Sequence, residues 1–191
     1  MKKLKTITFT ALACIMLACS CEKPAPPLTE LPPITQTGAN TFGCYVNGNL
    51  FVPTEPWLYV FPEGVPNPHA GFSDQQFNLE ASGLIDPNIE KGERYYFSVI
   101  IYDFIGVGHY DFENNSIEIS FDFTDSCFYS NPTRNGNLSG SIDITYLNKE
   151  AKIISGIFNL KVGLLDSYND RDYKCDSIVN ITEGRFDIKI N

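Results

Sequence analysis

Residues 117 to 123 read Ile117-Glu118-Ile119-Ser120-Phe121-Asp122-Phe123. Apolar and polar side chains alternate through the whole stretch. Successive side chains of a strand point to opposite faces, so the isoleucines and phenylalanines share one side and the polar residues the other. A helix would scatter the same residues around its circumference. The pattern therefore specifies a strand with one buried face.

The same period extends outward in both directions. Phe77, Leu79 and Ala81 alternate with Asn78 and Glu80. Ile142, Ile144 and Tyr146 alternate with Asp143 and Thr145. Phe158, Leu160 and Val162 alternate with Asn159 and Lys161. Phe186, Ile188 and Ile190 alternate with Arg185, Asp187 and Lys189. Tyr95 to Tyr102 is apolar on both faces and reads as a central strand. Asn47-Gly48, between Thr41–Val46 and Leu50–Val52, is a hairpin turn signal. No window shows a convincing helical period. The chain is predicted to be all-β, with antiparallel strands whose apolar faces must be covered. Two stacked sheets do this, and so does a closed or partly closed barrel. The sandwich is the preferred expectation and the barrel the alternative.

Composition sets further bounds. The chain has 191 residues, 43% hydrophobic and 13% aromatic, which is too apolar for a disordered protein. Residues 1–21 read as a signal segment, 22–40 as a tether and 41–191 as the all-β domain. A domain of that size buries about 70% of its unfolded surface and needs no metal to fold. Without Lys2, Lys3 and Lys5 there remain 11 Lys and Arg against 23 Asp and Glu, a net charge of −12. So acidic a chain repels phosphate backbones, which argues against nucleic-acid partners, and it repels anionic membrane surfaces too.

Membrane attachment would need another cause, and the N-terminus supplies one. Met1-Lys2-Lys3-Leu4-Lys5 is a basic start. Thr6 to Ala18 is an apolar run too short to span a bilayer, and Ala18-Cys19-Ser20-Cys21 closes it. This ending resembles a bacterial lipoprotein lipobox, which implies diacylation, as by palmitate, of the cysteine thiol. Cys21 is the favoured acceptor, because Glu22-Lys23 and a Pro-rich stretch follow it; Cys19 is the alternative. Pro24, Pro26, Pro27, Pro32 and Pro33 make residues 22–40 a semi-rigid spacer, about 60 Å long if fully extended.

Of six cysteines, Cys14 and Cys19 would leave with the signal and Cys21 would carry lipid. Cys127 and Cys175 lie in polar, turn-rich stretches where a disulfide is possible. Cys44 sits in an apolar run and reads as a small buried hydrophobe.

Three segments share the form x-Gly-x-apolar-polar-apolar: Ser139-Gly140-Ser141-Ile142-Asp143-Ile144, Ser155-Gly156-Ile157-Phe158-Asn159-Leu160 and Glu183-Gly184-Arg185-Phe186-Asp187-Ile188. They read as strands bent onto their neighbours at the glycine. With the opening Gly38 to Gly48, and Thr182-Glu183-Gly184-Arg185-Phe186-Asp187 near the end, they look like a family of small Bacteroidota lipoproteins of unknown function. The resemblance spans residues 37 to 191. It implies an outer-membrane, periplasmic or surface-facing lipoprotein with a β fold, and it carries no catalytic or binding residues.

Chemical motifs are sparse. His69 and His109 are the two neutral-pH bases, each read as a surface or turn residue. No nucleophile elbow, zinc motif or phosphate-cradling loop occurs, so neither metal nor cofactor is expected and the chain is not read as an enzyme. The acidic stretch Asp166 to Asp176 lacks the Gly and Glu of a calcium loop. Trp57, Tyr59, Tyr95, Tyr96, Tyr102, Tyr110, Tyr129 and Tyr168 could form a platform for sugar rings, with Trp57 and Tyr59 foremost. The expectation is a lipid-anchored envelope domain with a non-catalytic binding or assembly role. A carbohydrate-binding accessory protein is the alternative, and a hydrolase acting through paired carboxylates comes third.

Overall fold

The structure is a computed structural model that describes residues 29–53, 67–73, 75–85, 94–112, 117–123, 127–130, 138–164 and 175–190. Eleven strands and no helix occur among them. They are β1 (Thr41–Val46), β2 (Asn49–Pro53), β3 (His69–Phe72), β4 (Gln76–Ile85), β5 (Arg94–Tyr102), β6 (Gly108–Asp111), β7 (Ile117–Phe123), β8 (Cys127–Ser130), β9 (Ser139–Asn148), β10 (Ile153–Leu164) and β11 (Ile178–Lys189). Asn47 and Gly48 join β1 to β2 with positive φ at both positions, as a type I′ turn requires.

Eight strands close a ring in the order β1-β2-β4-β5-β7-β8-β10-β11, and β11 returns to β1. Every pairing is antiparallel. The sandwich, the preferred expectation, thus gives way to the closed barrel, the stated alternative. Two short seams make the difference. Phe51, Val52 and Pro53 pair with Ile85, Leu84 and Gly83 between β2 and β4. Ser130 and Tyr129 pair with Gly163 and Leu164 between β8 and β10. Beyond each seam the long strand's edge is taken by another partner. β3 covers the first half of β4, and β9, with β6 beyond it, covers most of β10. Alternation reports which face is buried and not whether edges meet, so seams this short leave no periodic mark.

The interior is filled with side chains. Phe42, Phe51, Phe77, Phe97, Phe121 and Phe158 are fully buried with Leu79, Ile101, Ile119, Ile142, Ile144 and Ile154. Rings meet across the barrel: the centroids of Phe42 on β1 and Phe97 on β5 are 5.2 Å apart, and those of Phe97 and Phe158 are 5.3 Å apart. Eight strands enclose a space just wide enough for such packing. Asn78, Glu118, Asn159 and Asn180 face outward and are exposed. β5 keeps Phe97, Val99 and Ile101 inside, and on its outer face Tyr96 and Ile100 are half-buried.

Two of the recurrent glycines make room for rings. Gly156 pairs with Phe186 across β10 and β11, and Phe158 pairs with Gly184 two residues on. A Cβ on Gly184 would enter the Phe158 ring, and one on Gly156 would lie 2.6 Å from Phe186 Cζ. Each phenylalanine lies over the glycine opposite it. Gly184→Ala is therefore expected to destabilise the fold by about 1–3 kcal/mol through overpacking. Urea denaturation measures this, and adding Phe158→Leu should recover part of the loss. An unchanged midpoint for Gly184→Ala would contradict the reciprocal packing.

Cys127 and Cys175 are bridged, with Cα atoms 5.9 Å apart. The bond joins the start of β8 to the approach to β11, beside the two-pair seam. Cys44 is free and fully buried. Burial pushes its thiol well above the usual range, which keeps it an inert core group.

Candidate functional site

Cys19, Cys21, Trp57, Tyr59, Tyr168 and most of the Asp166–Asp176 stretch lie outside the described residues. The remaining tyrosines do not form one platform. Tyr110 and Tyr129 are buried, and Tyr95 stacks on Phe121 with centroids 5.1 Å apart. Tyr96 and Tyr102 alone of that set are on the outer face of the barrel. Tyr102 is exposed and donates its hydroxyl to Glu118 at 2.7 Å.

Tyr96 is the centre of a polar wall made by β4, β5 and β7. Cross-strand register builds the wall in rows. Ser82, Tyr96, Asp122 and Phe128 form one row, and His69, Glu80, Ser98, Ser120 and Ser130 form the next. Adjacent strands are about 4.8 Å apart, so each row is a continuous strip of side chains. Ser98 donates to the Tyr96 oxygen, and the Tyr96 hydroxyl donates to Glu80. Burial and then the Glu80 charge push the Tyr96 hydroxyl up to about 12.

Asp122 stands on the other side of Tyr96. Burial alone pushes its carboxyl up to about 7. Its Oδ1 has no hydrogen-bond partner, and neither has Ser82 Oγ, although Ser82 is only 4% exposed. These two are the only buried side-chain polar atoms so left among the described residues. Buried polar atoms are normally paired, so two orphans in one row distinguish this wall from the rest of the surface. Alternation in the sequence places Asp122 on an outer face, while Tyr96 lies in a run apolar on both sides. Only the register brings together residues so far apart in the chain.

A second polar group lies at the far edge of β9. His109 on β6 and Asp143 on β9 are cross-strand partners, with Nδ1 2.7 Å from Oδ1, and His109 Nε2 is 3.9 Å from Asp111 Oδ2. The hydrogen bond with Asp143 and then the Asp143 charge raise the imidazole above its usual range. Both ring nitrogens thus face carboxylates, and the ring is exposed. Nearby, the Tyr110 hydroxyl accepts from the Ile105 and Gly106 amides and donates to the Gly106 carbonyl, which braces the loop before β6.

The third feature falls within the segment expected to be a tether. Residues 31–40 lie on the outside of β1, β11 and β10. Arg185 reaches the Pro32 carbonyl at 3.5 Å, and Pro32 packs over Gly43. Asp187 on β11 then accepts from the Thr35 hydroxyl at 2.6 Å, the Thr37 amide at 2.9 Å, the Thr37 hydroxyl at 3.2 Å, the Gly38 amide at 2.9 Å, the Ala39 amide at 3.2 Å and the Ser155 hydroxyl at 2.8 Å. Asp187 is 1% exposed. Burial by itself would raise its carboxyl, but the hydrogen bonds from Thr35, Thr37, Ser155 and Gly38 outweigh it and hold the group well below the usual range. Composition gave no sign of this strap, because a Pro-rich segment reads as spacer whatever it lies on. In the ring β11 is four strands from β5 in either direction, so the strap and the polar wall occupy opposite sides.

No known protein family, curated protein or solved structure matches the chain.

Proposed function

We propose that this protein is a lipid-anchored domain of the bacterial cell envelope, held at the outer membrane, with a non-catalytic binding or assembly role carried by the β4–β5–β7 wall. Membership of the small Bacteroidota lipoprotein family belongs to the same proposal. The observation that carries it is the placement of the strap opposite the polar wall. A chain anchored through Cys21, or through Cys19, would meet the barrel on the β11 side and leave the wall turned away from the lipid. With residues 31–40 docked, only residues 22–30 remain as spacer, about 28 Å at polyproline II spacing. The envelope location is tested by palmitate labelling of cells that express wild type, Cys21→Ala and Cys19→Ala. Label lost only in Cys21→Ala is the expected result. Label retained in both variants would remove the anchor from the proposal.

Carbohydrate binding is the second reading. Glu80, Asp122 and Tyr96 on one wall favour it, because carboxylates accept from sugar hydroxyls beside an aromatic ring. Glycan-array binding that is lost in Trp57→Ala or Asp122→Asn supports this reading, and a blank array counts against it.

A further inference from the structure

We infer that one end of the barrel rests on a lipid bilayer through Ile105 and Val107, with Lys149, Lys152 and Lys189 placed to meet lipid phosphates around them. The contact presupposes the lipid-anchored reading and adds a second hold on the same bilayer. β4 begins and β5 finishes at this end, where Gln76 pairs with Tyr102. β9, β10 and β11 meet there at Asn148, Ile153 and Lys189. The segment between β5 and β6 crosses the end, and a Cβ on Gly106 would lie 3.6 Å from Leu147 of β9.

Five large apolar side chains are exposed among the described residues, and three of them fall in this segment: Tyr102 at 40%, Ile105 at 89% and Val107 at 59%. The segment is firmly held. Phe104 is buried against Phe77 and Tyr110, with ring centroids 5.4 and 5.8 Å away, and its amide donates to the Gln75 carbonyl at 3.1 Å. Tyr110 fixes Ile105 and Gly106 through their backbone. Ile105 and Val107 are thus kept outward by a braced frame. Side chains so exposed add little to the core, and apolar surface gathered at one spot marks a contact.

Charge and reach select the occupant. Without Lys2, Lys3 and Lys5 the chain carries a net charge of −12. The basic side chains described are Lys149, Lys152, Lys161, Arg185 and Lys189, and three of these five stand at this end. All three are exposed and none forms an ion pair among the described residues. Lys149 Nζ lies 5.9 Å from the Phe72 ring. Asp103 and Glu150 are the acidic groups described beside them, so this end escapes the strong negative charge of the whole. Apolar side chains settle at the boundary of head groups and acyl chains, while lysines reach to the phosphates. A two-fold contact with a second copy through Ile105 would instead set these lysines against their own counterparts. The strap turns at the same end: Gly38 lies against Ile153 and Lys189, and Asn40 Oδ1 accepts from the Lys189 amide at 2.9 Å. Pro32, at Gly43, is two residues of strand from Thr41, about 7 Å. A spacer of about 28 Å from there lets a lipid on Cys21 reach the plane of Ile105. Tyr96 is six residues before Tyr102 on β5, about 20 Å above that plane, so its row of the polar wall stays clear of lipid.

The test places the only tryptophan at the contact, using the full chain with Trp57→Phe and Val107→Trp. The chain is purified from cells and reconstituted with phosphatidylcholine vesicles, with or without phosphatidylglycerol, whose acyl chains carry bromine as a quencher. Blue-shifted, quenched emission is expected. Adding Ile105→Asp should lower the quenched fraction about tenfold or more while the protein still floats with the vesicles. Its urea midpoint should match wild type, because the side chain is 89% exposed. Lys149→Glu with Lys152→Glu should remove the gain from phosphatidylglycerol and leave phosphatidylcholine vesicles unaffected. Unquenched emission from protein that floats would overturn the seating and leave the anchor standing. Quenching that survives Ile105→Asp would overturn the role of this segment. A dimer in sedimentation without lipid, split by Ile105→Asp, would assign the end to a second copy and overturn the bilayer. Palmitate labelling reports the anchor separately, and a chain without lipid is read by the same emission after vesicles are added.

Discussion

Asp187→Ala is expected to cost about 3–5 kcal/mol of stability and to release residues 31–40 from the barrel wall. The carboxylate, carried by β11, gathers six donors from two other parts of the chain: the strap's Thr35, Thr37, Gly38 and Ala39 on one side and Ser155 of β10 on the other. Removing it leaves Ser155 buried without its acceptor, and the strap amides regain partners only by leaving for water. Hydrogen bonds to a charged group contribute about 1.5–3 kcal/mol each in isolation. The released strap is solvated again, so the total stays far below the simple sum. Hydrogen exchange at Thr37, Gly38 and Ala39 checks the structural half of this, and urea denaturation the energetic half. Unchanged protection of those amides in the variant would show that the strap is held by something else.

The same group sets an acid limit. Its carboxyl is held well below the ordinary range in the folded protein. A lowered folded-state pKa adds stability above the unfolded-state value of about 4, and that contribution is lost as pH falls below it. Stability should thus decline on acidification from about pH 4 downward in the wild type. Asp187→Asn should start lower and show a flatter profile over that interval.

Replacing Cys127 and Cys175 by serine is expected to lower stability by about 4 kcal/mol. The chain-entropy relation gives this for residues 48 apart in sequence. For a domain of this size the melting temperature should fall by about 10 °C. The location sharpens the expectation. β8 meets β10 through two residue pairs only, and the Leu164 amide bonds the Ser177 carbonyl at 3.0 Å close by. With the covalent link gone, the ring should open first at this seam. Exchange of the β8 amides should accelerate more than exchange in β4 or β5. A uniform change across all strands would mean that the bridge acts only on the unfolded chain. A melting temperature within about 2 °C of wild type would contradict both expectations.

The strands were legible because their information is local. Ile117 to Phe123 needs nothing beyond its own alternation, and Asn47-Gly48 encodes its turn in two residues. Closure of the barrel was not legible, because it depends on Tyr129 finding Leu164 and Phe51 finding Ile85, and neither pairing marks its own strand. The Gly156 and Gly184 pattern was visible as a bend signal. Its cause, a phenylalanine seated over each glycine from the facing strand, needed the register. The candidate wall was half legible. Glu80 and Asp122 could be placed on outer faces, whereas Tyr96 lies in a run apolar on both sides; their meeting and the two unpaired atoms come from strand order. Asp187 was hidden most completely, since an aspartate in an alternating strand reads as a solvated residue and its strap partners lie about 150 positions earlier.

The strap also decides how mechanical load would enter the molecule. Tension applied from the N-terminal side meets Pro32 first and the Asp187 cluster next, and it reaches β1 only when both have let go. Yielding there pays out ten residues, about 35 Å of slack, while the ring of strands stays shut. A sudden tug is thereby converted into a change of length before it becomes a threat to the fold.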